Sequence, residues 1–388
     1  VKCCLITAGH FCTALQDFIR RHPRHAYIIA FNTDDFDVAP LAISDTLIML
    51  PLSERNIQRY LTQALDLPYA RELYASLEET QLFDLARIPW LLFKMLKQAQ
   101  EGTMPQSHAQ VLRDLVDDAI AEVAADQGMR TRAARTLYAL AWQMQSTFRS
   151  TLPIDEAFEI MAQVRGNRGY SLESLYQELT TYGLLAPVGE ESTRFARANI
   201  RAYCCAQALL ARPDFEEVLG DIAATLGRHT RYYWWEETLM LLSGLMADPL
   251  KLIQEILYGV ALSEGEQVFL AADCIRECRA NLAQGSEAAQ VLIFYIVSAL
   301  LWRLDRAREP RAMRRVRIIQ ALGRLKHPAA IPRLVEIAHK PIQSSALGEP
   351  VYEDSDVRLA AVLALRQMLT PPYAEIEKLA PQLAEVLN

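Results

Sequence analysis

The spacing of apolar positions changes once along the chain, near Pro51, and that change divides the sequence. Over residues 2–50 short apolar runs alternate with one amphipathic stretch. "KCCLI", "AYIIAF" and "TLIMLP" read as strands. "CTALQDFIRRH", with Leu15, Phe18 and Ile19 at helical spacing, reads as the helix between the first two. A strand, a short helix and a further strand form a βαβ unit, which predicts parallel strands. After Pro51 the period becomes helical and stays so. In "LSERNIQRYLTQAL" the residues Ile57, Tyr60, Leu61 and Leu65 recur every three or four positions behind Ser53, a good N-cap. Further helices are predicted for "ARELYASLEETQLFDLA", "PWLLFKMLKQAQ", "SHAQVLRDLVDDAIAEVAA" and "TRAARTLYALAWQMQ".

Residues 150–200 interrupt the pattern. "PIDEAFEIMAQV" and "SLESLYQELTTYGLL" are helical, but "APVGEESTRFAR" reads as a hairpin, with Gly189 and two acids separating "LLAPV" from "TRFAR". Helices followed by a β-wing suggest a winged helix. Its second helix carries Glu173 and Glu178 and no Arg or Lys, so phosphate repulsion argues against DNA and for protein packing. From about residue 218 the chain reads as helical hairpins. "RRVRIIQALGRL" at 314–325 aligns with "VRLAAVLALRQM" at 357–368, placing Ala321-Leu322 over Ala364-Leu365 and Arg315 over Arg358. This offset falls in the roughly 40–47-residue range of two-helix solenoid repeats. No helix pair of such a repeat buries its apolar face alone. Pro328 and Pro332 start a second helix after a tight turn.

The most apolar run, "AAQVLIFYIVSALLW" at 288–302, is shorter than the ~20 residues needed to span a bilayer and reads as a buried helix of the stack. The 388-residue chain is half apolar, ample for several cores, and its net charge of −7 disfavours nucleic acid. No basic segment precedes an apolar core of signal-peptide length. The chain begins at Val1 inside an apparent strand, so a fragment lacking its upstream part is expected. Seven cysteines, an odd number with no CxxC pair, suit a reducing cytoplasmic setting. Cys274 and Cys278 share a helix face, but no second pair accompanies them, so core packing is expected.

The order of parallel α/β core, helical segment, winged helix and repeats resembles the NACHT branch of the STAND signalling NTPases, with a HEAT-type C-terminus. "LIMLPLSERNIQRYL" (47–61) is similar to the segment that leads from the core into the helical subdomain. "ARIPWLLFKML" (86–96) is similar to the family's proline motif, and "LLAPVGEESTRFARANIRAYCCAQALL" (184–210) to the end of its winged helix. "YYWWEETLMLLSGLMADPLKLIQEIL" (232–257) is similar to the stretch that follows. The resemblance implies a mainly α chain in four parts. These are a partial parallel α/β NTPase core without its P-loop (1–50), a helical subdomain (51–130), a winged-helix domain (131–215) and HEAT-like repeats forming an α-solenoid (216–388). It implies that Pro89 packs on an adenine. It also implies that Arg197, where the family carries a histidine, reaches the phosphates of ATP or ADP held with Mg²⁺ in a full-length parent.

The departures from the family bear on chemistry. A P-loop needs GxxxxGK[ST] so that backbone amides and a lysine cradle phosphate, and none of the 15 glycines precedes a lysine. After "CCLI", where the family holds its Walker-B acid, the chain has Thr7-Ala8-Gly9-His10. Asp34, Asp35 and Asp37 follow a strand but lack a partner carboxylate and fit an acidic turn. His10, His22 and His25 read as loop residues, and no GxSxG elbow is present. No catalysis and no bound cofactor are therefore expected of this chain alone. Three functions follow: a nucleotide-regulated or formerly regulated switch and scaffold, a purely structural HEAT-repeat binding module, or an active NTPase, the last disfavoured. A chromophore-lyase role, known for some HEAT-repeat relatives, has no site here. The expected partner is a protein held by the repeats, with no nucleic acid or membrane, and with room for a homo-oligomer on activation. The aromatic cluster Tyr232 to Trp235 and the basic run "REPRAMRRVR" (308–317) are the candidate contact surfaces, with junction packing and a solvated helix face as their plainer readings.

Overall fold

A computed structural model describes residues 16–22, 50–80, 82–123, 126–165, 171–226, 229–258, 266–279, 282, 286–339, 343–344, 350–351 and 353–369. The three expected strands of the α/β core lie outside the described residues, except Leu50 and Pro51. So do Asp34, Asp35, Asp37, His10 and His25. Residues 16–21 are helical (α1), and the Phe18 ring lies 4.7 Å from that of His22. The chain divides into two compact units. One comprises 1–51 and 114–208, the other 52–113 and 209–388.

In the first unit, helix α7 (Gln127–Ser146) begins where the Asp126 carboxylate accepts the Met129 amide at 2.9 Å. It packs on α8 (Ile154–Arg165). Between them runs the short strand β1 (Leu152–Pro153), and α9 (Leu172–Thr181) follows behind its Ser171 cap. The expected hairpin is present. β2 (Leu185–Val188) and β3 (Ser192–Phe195) pair antiparallel, with Leu185 opposite Phe195 and Val188 opposite Ser192. β1 adds to the far side of β3, giving the order β1-β3-β2. Leu137, Met161, Leu179 and Leu185 are all fully buried, and α10 (Ala198–Leu210) contributes the buried Tyr203 and Cys204. Arg149 closes the α7–α8 corner with two hydrogen bonds to Glu156, at 2.8 and 2.6 Å.

The second unit opens with α2 (Glu54–Ala64), whose cap is Ser53 as the pattern predicts. α3 (Leu67–Thr80) and the single turn α4 (Phe83–Ala86) occupy the stretch predicted as one helix. α5 (Pro89–Gln100) follows, then the start of α6 (His108–Val123). After residue 208 come α11 (Phe215–Thr225), α12 (His229–Leu245), α13 (Leu250–Tyr258), α14 (Glu266–Glu277), α15 (Glu287–Arg303), α16 (Ala312–Leu325), α17 (Ile331–His339) and α18 (Ser355–Leu369). A short antiparallel pair, β4 (Gln343–Ser344) and β5 (Pro350–Val351), precedes α18.

Helices α12, α14, α16 and α18 pack in succession as one layer. α13 lies against α14, α15 against α14 and α16, and α17 against α18. The 43-residue alignment maps onto α16 and α18. Ile318, Ala321 and Leu322 are buried in the first and their counterparts Ala361, Ala364 and Leu365 in the second. Gly323 lets the pair close, since a Cβ there would stand 2.8 Å from Ala364 Cβ. Lys326, in the left-handed region at φ 51°, ends α16 and turns the chain into a 3₁₀ turn at Pro328–Ala330. The described residues are thus mainly helical, in keeping with a HEAT-like solenoid.

Candidate functional site

Helix α15 departs most from its expected place. Ala289, Leu292, Ile296, Val297 and Leu300 form its buried side, toward α14 and α16. The opposite side is apolar too, yet faces solvent. Val291 is 62% exposed, Phe294 57%, Tyr295 48% and Trp302 58%. The run is not the wholly buried helix that its composition suggests. Neighbouring elements extend the stripe. Tyr258, the last residue of α13, places its ring 6.0 Å from Tyr295, and the His327 ring lies 6.2 Å from Phe294. The guanidinium of Arg308 stacks 4.3 Å over Trp302 and donates a 3.0 Å hydrogen bond to the Trp302 carbonyl. Contiguous exposed apolar surface of this kind marks interaction sites more often than chance.

The C-terminal half of the basic run, Arg314 to Arg317, is neither a solvated face nor a free docking patch, whereas Arg308 at its start is exposed. Arg315 is buried, donates to the carbonyls of Glu309 and Pro310 at 2.8 and 2.9 Å, and pairs with Glu353 at 2.7 Å. Arg314 pairs with Glu266, which also accepts from Arg317 at 2.6 Å. The Arg317 guanidinium carbon lies 4.3 Å over the Phe269 ring. Intramolecular pairing absorbs these charges, so a partner lost on reversal of Arg314 or Arg315 would report a damaged repeat. Among "YYWW", Trp235 is buried, Trp234 half-buried and Tyr233 exposed, so this cluster offers one ring to solvent among its described side chains.

Pro89 occupies the first position of α5 behind an extended Ile88, the ordinary place for proline at a helix start, and is exposed. Arg197 immediately precedes α10 and is an exposed residue, and partial desolvation of its guanidinium lowers its pKa. The two belong to different units. Cys274 and Cys278 are core residues, as expected. Their thiols donate to the carbonyls of Leu239 and Ile275, and burial pushes both pKa values up. Among the described residues no group of three His, Cys, Asp or Glu side chains has metal-holding geometry.

One buried polar cluster escaped the sequence reading. His108, only 4% exposed at the start of α6, bridges two carboxylates. Its Nδ1 lies 2.9 Å from Glu277 Oε2, and its Nε2 3.1 Å from both oxygens of Asp84. Glu277 Oε1 accepts the Ala109 amide at 2.6 Å. Burial alone would lower the imidazole pKa; the hydrogen bonds and charges of Asp84 and Glu277 overcome that and hold it at about 9. Desolvation by the surrounding helices opposes ionisation of Asp84, although 61% of its side chain is exposed, yet His108 draws its pKa down to about 2, and the buried Glu277 is also depressed. Gly244 of α12 leaves the space the Glu277 side chain fills. The cluster is a charge clamp among α4, α6 and α14. An isolated polar residue at a helix start gave no signal that its partner stood 169 residues away.

Comparison with known families bears on the repeats. Residues 314–339 match the family model for the PBS lyase HEAT-like repeat. The matched segment covers α16 from Arg314 onward, the 3₁₀ turn and α17, one helix pair of the stack. Comparison with curated proteins gives no match. Among the described residues no helix is long and apolar enough to cross a membrane.

Proposed function

We propose that this chain is a helical-repeat scaffold that binds a protein partner, belonging to the NACHT branch of the STAND NTPases and derived from a nucleotide-regulated switch. The observation that carries the reading is the stack of α12, α14, α16 and α18 with a HEAT-like match inside it. A stacked solenoid presents side chains from successive repeats along one continuous surface, which suits it to holding a protein. The NACHT component draws support from element order in the first unit. Helix, strand, two helices and hairpin, with sheet order β1-β3-β2, is the order expected of a winged helix over 131–215. In a full-length parent, Pro89 and Arg197 are the positions proposed to meet ATP or ADP with its Mg²⁺. The sequence shows no GxxxxGK[ST] and no acid directly after "CCLI", and the contribution proposed for the stretch described is recognition.

Two measurements test the reading. Calorimetric titration of the full chain with ATP and ADP, with and without Mg²⁺, is expected to show no millimolar-or-better binding. Clear Mg²⁺-dependent binding overturns the loss of nucleotide chemistry. Cross-linking of the full chain to its co-purified partner is expected to place the links on α12–α18. Links confined to residues 114–208 overturn the scaffold assignment.

A further inference from the structure

We propose that the exposed face of α15 is the docking site for an acidic amphipathic helix of a partner protein. The inference rests on the scaffold reading and names the face and the ligand chemistry. The stripe from Val291 to Trp302 follows a helical repeat of three and four residues, and at about 1.5 Å per residue it runs roughly 17 Å, three turns of a partner helix. Its principal side chains are aromatic, the residue type that dominates interface energetics. Tyr258 and His327 extend it onto neighbouring elements, so the surface is a shallow shelf across the layer rather than a single ridge.

Charge selects the ligand. The chain carries −7 overall, yet the Trp302 end of the stripe is basic. Between 302 and 311 stand Arg303, Arg306, Arg308 and Arg311 against Asp305 and Glu309. Glu309 is already engaged by Arg311 and Arg314, and Asp305 accepts the Ala307 amide. Arg306 and Arg308 are exposed. Arg308 donates to the Trp302 carbonyl, which holds its guanidinium over the aromatic stripe, and the residue is exposed. A carboxylate next to an apolar helix face meets both features at once.

A membrane surface fits less well. Interfacial helices set many Lys and Arg opposite their apolar face, and polybasic lipid binding draws on roughly four to eight exposed cations, whereas of the four arginines here Arg303 is half-buried and Arg311 is paired with Glu309. The opposite face of α15 is instead buried in the stack. A two-fold pairing of this face with the same face of a second copy would bring the same arginines together.

The test uses a fluorescein-labelled peptide of about 18 residues, with leucines at helical spacing and glutamates elsewhere, titrated against the full chain by anisotropy. Binding near about 10 µM is expected. Trp302→Ala and Phe294→Ala should each weaken it at least ~10-fold. Arg308→Glu should weaken it ~10-fold and flatten its salt dependence. All three positions are exposed, so the melting temperature should hold and exclude misfolding. A lysine-for-glutamate peptide that binds equally, or acidic-peptide binding absent or insensitive to these substitutions, overturns the proposal. So does a dimer in sedimentation that Trp302→Ala dissociates, which assigns the face to a second copy. Variant-sensitive flotation with phosphatidylserine vesicles, without peptide binding, assigns it to a membrane and also overturns the proposal. Partner cross-links on other repeats alongside peptide failure sink this inference alone, whereas their absence from all repeats sinks the scaffold reading.

Discussion

Replacing His108 by alanine removes the cation from a clamp that holds two carboxylates, one of them wholly buried. Its size follows from the imidazole. A pKa of about 9 in the folded protein against 6.5 unfolded is about 2.5 units, or roughly 3 kcal/mol at 1.36 kcal/mol per unit. The depression of Asp84 describes the same contact from its other end and is not added, and much of the Asp84 side chain meets solvent. Removing one partner of a buried pair costs about 3–5 kcal/mol in other proteins, in agreement. For a unit of this size that is a fall of roughly 6–12 °C in melting temperature. The pH dependence follows in sign. The folded pKa of His108 is raised, so its contribution is complete below pH 6.5 and fades as pH rises through about 9. The carboxylate pKa values are depressed, so theirs is present above the ordinary carboxylate range and is lost as pH falls toward about 2 for Asp84. Thermal unfolding of wild type and His108→Ala by circular dichroism should differ most between about pH 4.5 and 6.5 and draw together toward pH 9.5. His108→Leu combined with Glu277→Leu should recover most of the loss, since neither charge is then stranded. A gap that stays flat from pH 6 to 10, or below about 1 kcal/mol at pH 6.5, would refute the reasoning.

Gly244→Ala should destabilise by about 1–3 kcal/mol despite the ~1 kcal/mol that alanine ordinarily adds to a helix. Its Cβ would stand 2.9 Å from Glu277 Cγ and 3.1 Å from Ala109 Cβ, and a raised melting temperature would contradict the close approach. Arg315→Met should lower stability in urea by about 3 kcal/mol, because Glu353 and two carbonyls lose their buried donor, while exposed Arg306→Ala stays within ~0.5 kcal/mol. Equal effects at the two positions would show that burial of the Arg315 pair carries no energetic weight.

Local signals carried far in this sequence. Ser53 capped α2, "APVGEESTRFAR" became the β2–β3 hairpin, and the alignment of 314–325 on 357–368 placed α16 against α18, because each depends on residues close in the chain or on a repeated pattern. What composition could not tell was the direction a side chain faces once helices stack. α15 is apolar all round, so no periodicity separates its buried Ile296 from its exposed Tyr295. The basic run failed for a related reason. Arg315 and Glu353 lie 38 positions apart, and a cation that will be neutralised in the stack reads the same as one bound for solvent.

The Glu277 carboxylate accepts the Ala109 amide at the start of α6 from a position 168 residues downstream. On a ribosome, residues 52–113 therefore emerge long before the group that completes them, and the intervening 114–208 must be made first. Until α14 is synthesised, His108 has only Asp84 to pair with and the start of α6 is left open to water. Nascent chains halted before residue 277 should thus hold this segment loosely, and chaperone occupancy would be expected to fall once α14 leaves the exit tunnel.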